Sequence, residues 1–153
     1  MVSKYYYGMT LLGNDVLVCG GVELSSCDLY NAPINQWAAA ATIPPLPVAM
    51  FYFRMITLHT RPYVFGGRTL CSHSIVNTVY TFDTFNAWAT RTPMQRAVGG
   101  HTAVALDTNT ALVCGGGNSS AMLSACSSYA ATEDVWSPAA QMITARYSHG
   151  MAV

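Results

Sequence analysis

Three stretches of the 153-residue chain share one pattern: Val16-Leu17-Val18-Cys19-Gly20-Gly21, Pro62-Tyr63-Val64-Phe65-Gly66-Gly67 and Ala111-Leu112-Val113-Cys114-Gly115-Gly116. Each is a short apolar run rich in β-branched and aromatic residues, and each ends in a glycine pair. The leading glycines stand 46 and then 49 residues apart. Self-similarity at such a period marks a repeat architecture, built from supersecondary units that cannot bury their apolar faces alone. The chain is therefore expected to contain three copies of one small unit.

A second signal recurs in the same order. Tyr30 precedes Trp37, Phe82 precedes Trp88, and Tyr129 precedes Trp136. A glycine pair after an apolar strand, then an aromatic residue, then a tryptophan, at a period near 50, resembles the Kelch repeat. The resemblance covers essentially the whole chain. It implies an all-β fold of Kelch-type β-propeller blades, each a four-stranded antiparallel sheet, as an open segment of a larger propeller or assembly. The units fall at residues 1–50, 51–98 and 99–147, and 148–153 begins a fourth. The WD40 repeat, the nearest rival, is shorter and ends in Trp-Asp, whereas these tryptophans precede Ala38, Ala89 and Ser137. The paired glycines Gly20, Gly21, Gly66, Gly67, Gly115 and Gly116 are expected where the backbone needs unusual dihedrals or close strand approach. The six aromatic residues Tyr30, Trp37, Phe82, Trp88, Tyr129 and Trp136 are expected to fill the space between blades.

Alternation and turn residues place the strands. In the first unit these are Tyr7–Leu12, Val16–Gly20, Cys27–Tyr30 and a short strand around Trp37. Gly13-Asn14-Asp15 makes the first turn. The second unit offers Phe53–Leu58, a strand through Val64 to Gly67, Val76–Phe82 and Trp88. Its Phe82-to-Trp88 span is one residue shorter than its counterparts, which predicts a tighter turn. The third offers His101–Leu106, Leu112–Cys114, Cys126–Tyr129 and Trp136. No helix is expected. Arg146 to Val153 aligns with Lys4 to Leu11, so the chain restarts its own pattern. Closing a propeller takes about four to eight blades, and an open array leaves strand edges unpaired. The expectation is a longer parent chain or self-association.

The cysteines repeat too. Cys19 and Cys27 occupy the same unit positions as Cys114 and Cys126, where a hairpin would set each pair across one ladder at bridgeable distance. The middle unit carries Phe65 and Val79 there, an apolar pair, and cysteines that appear and disappear together argue for bonding. Two disulfides imply an oxidising compartment. Asn118-Ser119-Ser120 is an N-glycosylation acceptor sequence in a loop, which points the same way. Cys71 is left over, and an odd cysteine suggests an intermolecular bond, an outside partner or a free thiol.

Charged residues make up 9% of the chain and the net charge is zero, so nothing favours nucleic acid. The longest apolar stretch holds Pro44, Pro45 and Pro47, which a membrane-spanning helix would not tolerate together. The N-terminus lacks an apolar leader core, so a secretory signal is expected outside this segment. His59, His73, His101 and His149 show no metal-ligand spacing. Neither a cofactor, a metal nor a catalytic group is therefore expected. Arg96 and Arg146 sit in equivalent loops, matched by Lys4, and with His73 they are candidate contacts for a ligand. The expected function is a non-enzymatic, extracellular, disulfide-stapled binding or structural scaffold. Its loops Arg68–Ser74 and Gly117–Leu123 would contact a protein or glycan. The alternatives are a fragment of a secreted, copper-dependent galactose-oxidase-like enzyme, and a cytosolic Kelch substrate adaptor.

Overall fold

The computed structural model describes residues 4–39, 42–70, 72, 74–83 and 86–153. The fold is all-β, with three antiparallel sheets in chain order and no helix among the described residues. Sheet 1 holds β1 (Gly8–Leu12), β2 (Asp15–Cys19), β3 (Cys27–Asn31) and β4 (Gln36–Trp37), each paired with the next. Sheet 2 holds β5 (Met50–Phe51), β6 (Arg54–Leu58), β7 (Arg61–Thr69), β8 (Ile75–Phe82) and β9 (Trp88–Arg91). Sheet 3 holds β10 (Thr102–Ala105), β11 (Thr110–Cys114), β12 (Cys126–Ala130) and β13 (Val135–Ala139), again paired in order. None of the three sheets closes on itself.

The middle sheet corrects one expectation, because it has five strands instead of four. β7 is nine residues long and its register shifts between Phe65 and Gly67. Before that bulge β7 pairs with β6, and beyond it Arg68 and Thr69 pair with Phe51 and Met50. A bulge turns the strand enough to offer its far end to a second neighbour. Arg68 thus lies in a strand and not in a loop.

Turns follow from residue chemistry. Asp107 Oδ1 accepts from the main-chain N–H of Asn109 and Thr110, both at 2.7 Å, closing the β10–β11 hairpin. Tyr30, Phe82 and Tyr129 pair in register with Trp37, Trp88 and Trp136. Two residues before each tryptophan, Asn35, Asn86 and Asp134 have φ of 53°, 59° and 56°. These are residue types that tolerate the left-handed region. In sheet 2 the shorter connection closes with the Asp83 N–H donating to Ala87 O at 2.8 Å.

The sheets stack, and the contact between neighbours is nearly the same each time. The second glycine of each pair donates its N–H forward: Gly21 to Met50 O, Gly67 to Val98 O and Gly116 to Arg146 O, at 2.8–3.0 Å. Tyr6, Tyr52, Gly100 and Ser148, at matching positions, all have positive φ. They form a chain of main-chain bonds, Tyr52 N–H to Tyr6 O, Gly100 N–H to Tyr52 O and Ser148 N–H to Gly100 O. The next residue lays its ring on the leading glycine of the unit before. A Cβ on Gly20, Gly66 or Gly115 would come within 2.7, 3.1 or 2.8 Å of the rings of Phe53, His101 or His149. At the outer side, Trp88 Nε1 donates to Pro44 O and Trp136 Nε1 to Thr92 O, both at 3.0 Å.

Two apolar cores lie between the sheets. Leu17, Met50, Phe53, Met55, Val64 and Phe82 fill the first, and Leu58, Phe65, Val79, Val113 and Tyr129 are among those filling the second. Each fully buried side chain of this size contributes about 1.5–3 kcal/mol relative to exposure, so neighbouring sheets stabilise one another. Trp88 and Trp136 pack against these cores as expected. Trp37 does not. Its ring packs on Tyr30, on the face of sheet 1 turned away from sheet 2, and it is 45% exposed.

Two disulfides staple the outer sheets. Cys19 bonds Cys27 and Cys114 bonds Cys126, with Cα atoms 4.1 and 4.2 Å apart. Both pairs are direct register partners. In sheet 2 the register partners at that place are Phe65 and Val79, both fully buried.

Candidate functional site

The loops of units two and three converge on one cleft of about 380 Å³, lined by Tyr52, Arg68, Ile75, Gly99, Asn118, Met122 and Tyr147 among others. Several elements position these residues. Tyr52 sits between β5 and β6, held in the left-handed region at φ 56°. Arg68 is the register partner of both Phe51 and Ile75, which carries it out past the bulge. Gly99 and Gly117 exchange main-chain hydrogen bonds at 2.9 and 3.0 Å, forming the cleft floor. The Tyr147 ring lies beside Gly117, 3.3 Å from where a Cβ would sit, and over the neighbouring Gly100, where a Cβ would fall 2.4 Å from it.

Asn118 shapes the rim. Its Oδ1 accepts from the Ser120 and Ala121 N–H groups at 2.9 Å, and its own N–H donates to Ala121 O at 3.0 Å. This turn engages the side-chain oxygen and leaves the amide nitrogen as its remaining functional atom. Met122, 64% exposed, and Tyr147, 41% exposed, give the cleft an apolar and aromatic wall. A second depression, of about 640 Å³, shares Arg68, Ile75 and Asn118 with it and extends over Ser74, Ala97 and Ser119.

The aromatic wall continues across the starts of the units. Tyr5 packs on Tyr6, Tyr6 on Tyr52, and Tyr52 on Tyr147, with ring centroids 4.2–5.9 Å apart. The Tyr52 hydroxyl is pushed up to about 12, first by its interaction with the Tyr6 hydroxyl and then by burial. Beneath lies Arg54, which burial lowers from the ordinary arginine value while Tyr147 opposes that shift. His101 is fully buried and neutral. Burial first, and Arg54 next, pull it down to about 3. Neither His101 nitrogen meets hydrogen-bond geometry, although the main chain of Phe65 and Val98 lies beside the ring and opposes the shift in part. His149 is lowered by burial and then by Arg146 and Arg54. The histidines thus serve packing. His59 does so too, since its Nε2 lies 2.9 Å from Asn109 Oδ1 and 3.0 Å from Thr132 Oγ1, joining sheets 2 and 3.

The other sequence candidates lie elsewhere. Arg96 lines a separate groove of about 280 Å³ with Gln95, Trp136, Pro138 and Gln141. Arg146 uses its main chain to join Gly116 and Leu123. Lys4, its counterpart, donates to Ser26 O and Oγ and pairs with Asp28 at 3.5 Å, so it is engaged locally. His73 and Cys71 lie outside the described residues. Arg68, Asn118 and Met122 fall in the two stretches the sequence singled out for ligand contact. Sequence reasoning missed Tyr52 as a cleft residue, which could have been found from its alignment with Tyr6 at the head of the units.

Among the described residues no group of three or more His, Cys, Asp or Glu is placed to hold a metal ion. No helix of the described residues is long and apolar enough to cross a membrane. No family model matches the chain, and none of the curated proteins compared with it matches either.

Proposed function

We propose that this chain is a non-enzymatic, extracellular binding scaffold whose three sheets are blades of a Kelch-type propeller. The cleft between its second and third units would receive a protein loop or a glycan. The observation that carries the reading is the convergence of Tyr52, Arg68, Asn118, Met122 and Tyr147 on one cleft, from segments far apart in the chain. Rigid aromatic rings beside a guanidinium suit a ligand with one apolar face and several hydroxyl or carbonyl groups. The repeated glycine, aromatic and tryptophan contacts support the propeller reading. The paired disulfides and the Asn118 acceptor sequence support an oxidising compartment and a glycan at Asn118.

The test is a screen of the folded chain on a glycan array and on a panel of extracellular domains, repeated with Met122→Ala and Tyr147→Ala. Met122 and Tyr147 are partly exposed, and each truncation is expected to weaken a hit tenfold or more, while Arg96→Ala leaves it unchanged. Hits that ignore both cleft substitutions and respond to Arg96→Ala would move the site to the other groove.

A further inference from the structure

The cleft and the glycan acceptor sequence share one residue. Asn118-Ser119-Ser120 is exposed along its length and stands at the tip of a tight turn, which an antiparallel bridge between Gly117 and Met122 closes. The base of that turn is tied to the cleft floor, because Gly117 and Gly99 exchange main-chain hydrogen bonds at 2.9 and 3.0 Å. The turn also fixes the acceptor side chain. Asn118 Oδ1 is engaged by the Ser120 and Ala121 N–H groups, both at 2.9 Å, which leaves Nδ2 as the atom available for linkage.

Asn118 borders two hollows, the cleft of about 380 Å³ and the depression of about 640 Å³ beside it. They differ in chemistry. The depression offers Arg68, Ser74, Ile75, Ala97 and Ser119 and no aromatic ring. The cleft offers Met122 and Tyr147 next to the acceptor, with Tyr52 beyond. An N-linked glycan begins with an N-acetylhexosamine, whose ring has one face of C–H groups and whose acetamide ends in a methyl. Such a face packs on an aromatic ring and leaves its hydroxyls at the edge, in water. The cleft therefore suits the first sugar better than the depression does.

We propose that the glycan on Asn118 is the cleft's own occupant. Its first sugar lies against Met122 and Tyr147 and closes the site, and an outside ligand enters only where Asn118 is bare. Tethering decides that competition. A group held by a short flexible link is present at an effective concentration of about millimolar, so a weak contact keeps it seated and a dissolved ligand must bind more tightly to displace it. This inference rests on the scaffold reading for the cleft and for the acceptor sequence, and adds the regulation of one by the other.

The test uses the whole chain from a glycosylating secretory host in three forms: as secreted, trimmed by an endoglycosidase to the first sugar, and as Ser120→Ala. That substitution removes the acceptor hydroxyl and keeps the N–H that Asn118 Oδ1 accepts. Oxidation of Met122 by hydrogen peroxide, read by peptide mass, reports on the cleft. Met9, 56% exposed on sheet 1, is the internal control. Met122 should oxidise about fivefold more slowly in both sugar-bearing forms than in Ser120→Ala, as a sugar seated about four-fifths of the time would give. Met9 should oxidise equally in all three. A secreted chain with bare Asn118, equal Met122 rates, or protection lost on trimming to one sugar would overturn the proposal. The scaffold reading is judged separately by the glycan-array and domain screen. A hit that Ser120→Ala keeps and the trimmed form loses supports both readings. A hit that both forms share keeps the scaffold and overturns the closure. No hit on either form counts against the scaffold alone, and the Met122 rates still decide the closure.

Discussion

Gly116→Ala isolates the role of the repeated glycines. Gly116 has φ +82°, and an added Cβ would lie 2.8 Å from Gly99 O, 2.8 Å from His101 N and 2.9 Å from His101 Cβ. Two of these are main-chain atoms at the junction of sheets 2 and 3, which cannot rotate away. Gly13 is the internal comparison, since it has φ +62° but nothing within 4 Å of the added carbon. Left-handed backbone costs an L-residue about 1–2 kcal/mol, offset by about 0.4–1 kcal/mol from a stiffer unfolded chain. Gly13→Ala should therefore cost about 1 kcal/mol or less. Gly116→Ala adds overpacking of about 1–3 kcal/mol, for a total of about 2–4 kcal/mol. Equilibrium urea unfolding reads the difference as a lower midpoint at unchanged m-value. Equal losses for the two substitutions would refute the claim that close sheet approach, and not dihedral preference alone, requires glycine at the repeat position.

Reduction of the disulfides should lower stability without changing the fold. Their sequence separations are 8 and 12, and loop entropy gives about 2.5 and about 3 kcal/mol respectively. The serine double variants, followed by thermal melts, check the sum. His101 makes stability pH-dependent. Folded, it stays neutral down to about 3, whereas the unfolded chain takes up a proton near 6.5. Its contribution is complete above that upper value and is lost as the pH falls through the window, at about 1.4 kcal/mol per pH unit. His101→Phe, which installs the residue found at the equivalent Phe53, should flatten the acid limb of a stability-versus-pH curve. Trp136→Phe removes the Nε1 bond to Thr92 O and should cost about 1 kcal/mol. Trp37→Phe should cost almost nothing.

Much of the sheet structure is legible from single residues. The glycine pairs, the tryptophans and the turn residues Asn14, Asn35 and Asp107 mark strand ends through local backbone chemistry, which needs no knowledge of distant contacts. The cysteine pairing is legible because the middle unit replaces both cysteines with Phe65 and Val79 at once. What was not legible depends on how units meet. β5 exists because the bulge at Gly66-Gly67 lets β7 take a second partner, and a two-residue strand has no periodicity to detect. The exposure of Trp37 depends on what lies against the outer face of sheet 1, which its own flanking residues cannot report. The cleft follows the same rule. The loops at residues 68–74 and 117–123 stand out in the sequence, but Tyr52 and Tyr147 join them only through the left-handed chain of Tyr6, Tyr52, Gly100 and Ser148 that sets the units side by side.

A peptide map of unreduced native protein, with free thiols blocked before digestion, tests the stapled extracellular scaffold most directly. The expected result is a Cys19–Cys27 peptide pair, a Cys114–Cys126 pair, and a glycan-dependent mass shift on the peptide carrying Asn118. Blocked thiols at all four of those cysteines, with an unmodified Asn118 peptide, would contradict it.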